Sequence, residues 1–275
     1  MVDSQAQSAV VNHVYQQYKI SERRACELIQ IPRSTHRYEK VEDKDKEIKS
    51  KLREIAFKRK AFGYRRLHIL LQRKGVKINH KKTYRLYKED RLNLRIKGKN
   101  KRYRNTERRS IEIPKRPNQK WAMDFMTDSL TNGKKLRAFN ILDIFSRECP
   151  IIEIGTSMPS LKVIETLDML ALERGLPEVI KVDNGPEYTS EAIRKWANEK
   201  GITLEYISPG RPMENGHIES FNGKFREECL NQNAFRTMQE AKNIIEEWRV
   251  DYNEFRPHSA LGYKAPAEFL RELSR

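Results

Sequence analysis

Two acidic residues bracket the stretch that most constrains the fold. It begins Lys181-Val182-Asp183-Asn184-Gly185-Pro186 and ends Ile218-Glu219-Ser220-Phe221-Asn222, with 35 residues between Asp183 and Glu219. The run from Glu178 to Asp183 is rich in β-branched residues and stops at Asn184-Gly185-Pro186, a turn signal. Asp183 is therefore expected at the carboxyl end of a strand, where open α/β sheets place their ligands. After a further helix and strand, Pro209-Gly210-Arg211-Pro212 reads as a turn and Asn215 to Leu230 as a helix. Ile218, Phe221 and Phe225 fall at helical spacing and are expected to face a core. Asn215, Glu219, Asn222 and Arg226 share a second, polar face. Upstream, Trp121-Ala122-Met123-Asp124-Phe125 sets a third carboxylate in an apolar, strand-like segment. An ionised side chain is costly there unless something binds it.

Carboxylates drawn from two strands and a helix are a donor set for hard divalent cations. Two Mg²⁺ or Mn²⁺ ions about 3.5–4 Å apart stabilise the attacking and leaving oxygens of an in-line phosphoryl displacement. Taken singly, Asp183 reads as well as a turn cap, Glu219 as a solvated helix residue and Asp124 as a hydrogen-bonded strand residue. The three in order, each in matching local context, favour the metal site.

Five segments then carry a resemblance. They are Trp121-Ala-Met-Asp124-Phe, Asp143-Ile-Phe-Ser146-Arg147, Val182-Asp183-Asn184-Gly185-Pro186-Glu187, Asn215-Gly-His-Ile-Glu219-Ser-Phe-Asn222-Gly and Tyr252-Asn253-Glu-Phe-Arg256-Pro257-His258-Ser-Ala-Leu261-Gly262. Together they strongly resemble the catalytic, second-reading-frame subunit of insertion-sequence transposases of the family numbered three, in the retroviral-integrase (DDE) superfamily. The resemblance spans roughly residues 20 to 270 and is strongest from Trp121 onward. It implies a ribonuclease-H-like core with Asp124, Asp183 and Glu219 as catalytic metal ligands for two Mg²⁺ or Mn²⁺ ions. The implied reaction cleaves a phosphodiester at a transposon end and transfers the freed 3′-hydroxyl to the other end, through a circular intermediate. The implied partners are the terminal inverted repeats, target DNA, a homo-oligomer on DNA, and an upstream first-reading-frame subunit or fusion.

Charge agrees with a polyanionic partner. The chain carries 55 Lys and Arg against 38 Asp and Glu, a net +17, with a pI near 9.7. Residues 1–120 hold 35 basic and 13 acidic residues, whereas residues 121–275 hold 20 and 25. A basic front half joined to an acidic remainder fits nucleic acid better than mere solubility. Cys26, Cys149 and Cys229 are odd in number and far apart, with no CxxC pair and no His spacing expected of a zinc site. The amino-terminal His/Cys zinc module of retroviral integrases is therefore not expected. No disulfide scaffold, long apolar span or signal-peptide layout is present, so the expected location is the bacterial cytoplasm, in association with the nucleoid.

Five segments are expected along the chain. Residues 1–40 read as helix-turn-helix-like: Val11 to Tyr18, then Ser21 capping Glu22 to Ile29, then Pro32-Arg33-Ser34-Thr35 opening an element with Arg37 and Tyr38. Arg33, Ser34, Thr35 and Arg37 are its candidate DNA contacts, and a helical bundle touching another subunit is the alternative. Residues 41–93 form a second helical DNA-binding region, with helices from Asp43 to Lys60 and Arg66 to Lys74 and a third from Tyr84 to Glu89. There Asn79 is a candidate cap and Arg65, Arg66, Lys81, Lys82 and Arg85 are candidate DNA contacts. Residues 94–118, with Arg95, Lys97, Lys99, Lys101, Arg102, Arg104, Arg108 and Arg109, have too few apolar residues for a core and read as a basic linker that orders on DNA.

Residues 119–232 form the expected catalytic core, α/β in class: a mixed five-stranded sheet with flanking helices, preceded by all-α modules. Its strands are read at Trp121 to Thr127, Leu136 to Ile144, Pro150 to Ile154, Glu178 to Asp183 and Thr203 to Ile207, with helices at Ser160 to Arg174 and Ser190 to Lys200. Asn215, Asn222 and Arg226 are candidate DNA contacts beside Glu219. Asp143 is expected to support a turn or the cleft, and His217 lies off the face of Glu219. Residues 233–275 form a helical tail in which Trp248 and Leu261 pack, while Arg256 and His258 stay open between packing and contact with the transposon end or a partner subunit. Two other functions remain to be weighed: a ribonuclease-H-like nuclease, and a non-catalytic DNA-binding regulator of the element.

Overall fold

The computed structural model describes residues 4–37, 44–94, 114–208 and 215–274. Tyr38, the helix start at Asp43, most of the 94–118 linker and the turn at Pro209-Gly210-Arg211-Pro212 lie outside the described residues. The chain divides into two compact units, residues 1–48 and 49–275.

The first unit holds α1 (Ser4–Tyr18), α2 (Glu22–Leu28) and α3 (Arg33–His36). Ser21 caps α2 by accepting from the Arg24 amide at 3.3 Å, which satisfies one of the free N–H groups of the first turn. Val11, Ala25, Cys26 and Ile31 form its small buried centre.

The second unit opens with α4 (Lys46–Lys58, whose first residues precede residue 49), α5 (Tyr64–Arg73) and α6 (His80–Glu89). Leu52, Ile55, Leu67, Leu71 and Leu86 are buried, and Asn79 caps α6 by accepting from the Lys81 amide at 2.8 Å. The sheet follows: β1 (Lys120–Ser129), β2 (Lys135–Asp143), β3 (Ile152–Gly155), α7 (Ser160–Arg174), β4 (Val179–Val182), α8 (Pro186–Thr189), α9 (Glu191–Glu199), β5 (Thr203–Tyr206), α10 (Gly216–Glu228), α11 (Met238–Glu254) and α12 (Pro266–Leu273). Strand order is β3-β2-β1-β4-β5. The first three strands pair antiparallel and β4 joins β1 and β5 in parallel, so the sheet is mixed, as expected.

Strand alternation sends successive side chains to opposite faces. Trp121, Met123, Phe139, Ile141, Ile180 and Val182 meet α7 and α9. Ala122, Ala138, Leu142, Ile152 and Ile154 meet Ile218, Phe221 and Phe225 of α10 and Ala241, Ile245 and Tyr252 of α11. The tail expected from residue 233 thus shares a core with α10. Trp248 lies 5.0 Å from the Phe225 ring and 5.8 Å from that of Phe221, the packing role expected of it. Arg256 and His258 are buried as well. Arg256 donates to both Glu228 oxygens at 2.7 and 2.6 Å, and His258 meets the Tyr252 ring edge-on at 4.8 Å.

Candidate acidic site on one face of the sheet

Asp124 sits mid-strand in β1, with the parity that faces α10. Its Cα partner across the antiparallel pair is Asn140, a fully buried polar residue. Asn140 Nδ2 donates to Asn222 Oδ1 at 2.7 Å, and Asn222 Nδ2 donates to Asp124 Oδ2 at 2.7 Å. The other oxygen, Oδ1, accepts from the Phe125 amide at 2.8 Å. This chain of amides fixes the carboxylate and ties it to the helix that bears Glu219.

Asp183 follows β4 directly. In the parallel pair Ala122 stands level with Lys181, so continuing the register by two residues brings Asp124 level with Asp183. Lys181 and Asp183 share the parity opposite to that of the apolar Ile180 and Val182. Lys181 is buried and paired with Glu205 at 3.0 Å. Asp183 Oδ1 accepts from the Gly185 amide at 2.9 Å. A Cβ at Gly185 would stand 2.9 Å from that oxygen and 3.2 Å from Glu187 Oε2, so the absence of a side chain at 185 leaves the carboxylate its position.

Burial pushes the Asp124 carboxyl up to about 6, and the charges of Asp183 and Glu219 push the same way. The hydrogen bonds from Phe125 and Asn222 pull against them. Asp124 thus senses both other carboxylates, and Glu219 does not lie across the sheet from the aspartates. The trio is open: among the described residues, the one set of three His, Cys, Asp or Glu side chains whose ligand atoms all lie within 4.8 Å of one another is Glu22, Cys26 and His36.

Asp143 is fully buried and holds the β2 turn. Its Oδ1 accepts from the Phe145 and Ser146 amides at 2.9 Å each, and Oδ2 from the Asn118 amide at 2.7 Å. That is the supporting role expected of it. His217 faces Arg147.

The candidate DNA contacts fall into two groups. Arg33, Ser34, Thr35, Lys81 and Arg85 are exposed, with Arg85 3.7 Å from Glu89, and Lys82 is partly buried. The others are placed as follows. Arg37 donates to both oxygens of Glu22. Arg65 donates to the Tyr64 hydroxyl at 3.3 Å. Arg66 lies over the Phe62 ring at 5.3 Å, 3.8 Å from Glu228. Arg226 donates to Asp128 at 2.9 Å and to the Thr127 carbonyl at 2.8 Å. Asn215 is buried with its Oδ1 lacking a hydrogen-bond partner. Asn222, expected on the polar side of its helix, is turned inward to Asp124. Asn140 was missed, although a polar residue inside Ala-Phe-Asn-Ile-Leu carries the same signal that singled out Asp124.

Comparison with known proteins agrees with this architecture. Two models described as an integrase core domain match residues 114–212 and 200–266, and one described as an HTH-like domain matches residues 42–100. An uncharacterized protein of insertion element IS407 from Burkholderia multivorans is 44% identical over 93% of this chain and 92% of its own length. The putative transposase InsK of insertion sequence IS150 from Escherichia coli K12 is 30% identical over 96% of this chain and 97% of its own. A simian T-cell lymphotropic virus intasome structure, solved with a PP2A regulatory subunit, superposes with a TM-score of 0.53 at 18% identity. It covers 80% of this chain and 73% of the viral chain, a likeness of fold. With its integrase core, its HTH-like region and relatives that match it nearly end to end, the chain belongs to the insertion-sequence DNA transposases of the family numbered three.

Proposed function

We propose that Asp124, Asp183 and Glu219 are the catalytic carboxylates of this transposase and hold two Mg²⁺ or Mn²⁺ ions. The observation that carries this reading is the setting of Asp124, half-buried and raised toward neutrality beside two further carboxylates on one face of the sheet. Three acids on one face fit bound cations, since an oxygen-only donor set suits hard divalent ions. When bound, the ion pair supplies charge stabilisation to the attacking and leaving oxygens of phosphoryl transfer. Asn222 and Asn140 aim the Asp124 carboxylate, and the Asp183-Asn184-Gly185 turn aims that of Asp183. A water oxygen attacks phosphorus at the transposon end, and the bond to the bridging O3′ breaks to free a 3′-hydroxyl. That hydroxyl attacks a second phosphodiester, whose own O3′ departs with the proton.

Arg33, Ser34, Thr35, Lys81, Lys82 and Arg85 are proposed to grip the terminal repeats and target DNA, along with the basic residues of the 94–118 linker. Each neutralised phosphate steepens the salt dependence of affinity by a slope of roughly 0.9. Joining two ends requires at least two copies on DNA, and an upstream first-reading-frame subunit is a further proposed partner. The proposed setting is the bacterial nucleoid; among the described residues no helix is long and apolar enough to cross a membrane. A nicking and strand-transfer assay on terminal-repeat DNA tests the site with Asp124→Asn, Asp183→Asn and Glu219→Gln. Full activity in any one removes that residue from it. RNA–DNA hybrids in the same assay test the nuclease alternative, and Mg²⁺-indifferent binding without cleavage would mark a regulator.

A further inference from the structure

The first helical unit holds a cluster that the acidic site does not use. Glu22 and Cys26 stand one turn apart on α2, His36 ends α3, and one ligand atom of each lies within 4.8 Å of the other two. Linear spacing hides the set, because a turn separates Cys26 from His36.

The polar contacts leave ligand atoms available. Cys26 is only 2% exposed and is a free thiol; its carbonyl accepts from the Ile31 amide at 3.0 Å, which leaves the sulfur uninvolved. The Ser8 hydroxyl of α1 donates to the His36 carbonyl at 3.1 Å. Ser8 Oγ also stands 3.0 Å from His36 Nδ1 and, with its hydrogen so used, is placed to accept from that nitrogen. In the tautomer protonated on Nδ1 the lone pair lies on Nε2, the arrangement in which an outer partner orients a metal-binding histidine. Glu22 accepts from Arg37 on both oxygens, at 2.7 and 2.6 Å, and each carboxylate oxygen keeps a second lone pair.

We propose that Cys26, His36 and Glu22 form a zinc-class site with water in the fourth position. Mixed S, N and O donors suit Zn²⁺ and are foreign to Mg²⁺, so this site and the acidic one select different ions. Bond lengths of about 2.0–2.3 Å put tetrahedral ligands about 3.3–3.8 Å apart, so the cluster closes by small side-chain movements. Binding releases the Cys26 proton to solvent. The ion staples α2 to α3, and Ser8 adds α1. With Val11, Ala25 and Ile31 as its buried apolar side chains beside Cys26 among the described residues, the unit is of the size at which metals commonly supplement a small core.

Cobalt substitution of the full chain tests this, because only thiolate ligation gives an intense near-ultraviolet thiolate-to-cobalt band. The expected result is one such band per chain, abolished by Zn²⁺ but not by excess Mg²⁺. It is lost in Cys26→Ser, retained in Asp183→Asn, and the ion binds at least tenfold more weakly in His36→Gln. Ser8→Ala, acting through the histidine, is expected to weaken binding roughly tenfold. No band in the wild-type chain overturns the proposal, as does a band that survives in Cys26→Ser. Should Cys26→Ser fail to fold, His36→Gln decides: unchanged affinity there overturns the proposal equally.

Discussion

The two faces of the sheet are made from the same strands and do opposite work. Toward α7 and α9 the inward residues are apolar without interruption, from Trp121 and Met123 through Phe139 and Ile141 to Ile180 and Val182. Toward α10 and α11 the alternate positions hold Asp124, Asn140 and Lys181 among the apolar residues, and Asn222 reaches in from the helix. The first face is a transfer of apolar surface out of water and nothing else. The second gives up some of that gain to hold polar groups in fixed geometry through hydrogen bonds and an ion pair, with Asn140 Oδ1 left without a partner among the described residues. The proposed chemistry sits on the side where burial is incomplete, and stability is concentrated on the other.

The sharpest way to break this contrast is to neutralise the acids. Asp124→Asn, Asp183→Asn and Glu219→Gln are each expected to cut strand transfer by roughly 10³-fold or more, on the scale of losing a preorganised electrostatic group. The midpoint of urea unfolding should move little. Trp121→Ala on the apolar face is expected to do the reverse, costing about 3–5 kcal/mol in stability. At temperatures where the variant stays folded, its specific activity should be preserved. If both substitutions damage stability alike, the two faces are not functionally distinct.

Asn222→Ala tests the link between helix and strand. It strips the partners from Asn140 Nδ2 and Asp124 Oδ2 together. Leaving buried groups unpaired costs about 1–3 kcal/mol, and a carboxylate that loses its aim should lower turnover about tenfold beyond the stability effect. Asn222→Asp keeps the shape but adds a fourth charge and should be worse in activity at neutral pH. Equal activity of the two variants would deny Asn222 a positioning role.

Gly185→Ala is smaller still in stability, below about 1 kcal/mol, because the atom its Cβ meets is the free end of the Asp183 side chain rather than backbone. The displaced carboxylate is nonetheless expected to lower activity up to about 10²-fold, the usual consequence of a 1 Å misplacement. Wild-type turnover in this variant would show that Asp183 tolerates movement.

Much of this contrast was readable from the chain. Period-two alternation placed the five strands within two or three residues of their ends, and Ser21 and Asn79 cap the helices they were expected to cap. Asp143 is legible as a supporting residue because the Phe145 and Ser146 amides that it accepts from are local, whereas its contact with the Asn118 amide is not. Asn222 is legible as a polar residue on the face of Glu219, but helical periodicity assigns faces only relative to the apolar stripe. Whether a polar residue at the stripe's edge turns in depends on Asn140, 82 residues away. Arg66, Arg256 and Glu228 were illegible for the same reason: a charge looks solvated in sequence until its partner is located. The short α8 and the final α12 escaped notice, one too brief for periodicity to register and the other opening on Pro266 after a turn.

The smallest expected effect is on proton competition, and it sharpens the same contrast. The ion-free Asp124 carboxyl is raised to about 6, chiefly by burial. A cation needs the ionised form, so protons compete below about pH 6 and the competition fades above it. Apparent Mg²⁺ affinity at the acidic face, read from the activation of strand transfer, is therefore expected to be steady from pH 8 to 7 and to fall as pH drops through 6. An ordinary aspartate would hold its affinity to about pH 4. Asn222→Ala removes one hydrogen bond that favours the ionised form, so its fall should begin at higher pH than in the parent. Trp121→Ala, on the opposite face, should leave the profile where it was. A profile that shifts with Trp121 but not with Asn222 would mean that the polar network does not set the charge of Asp124.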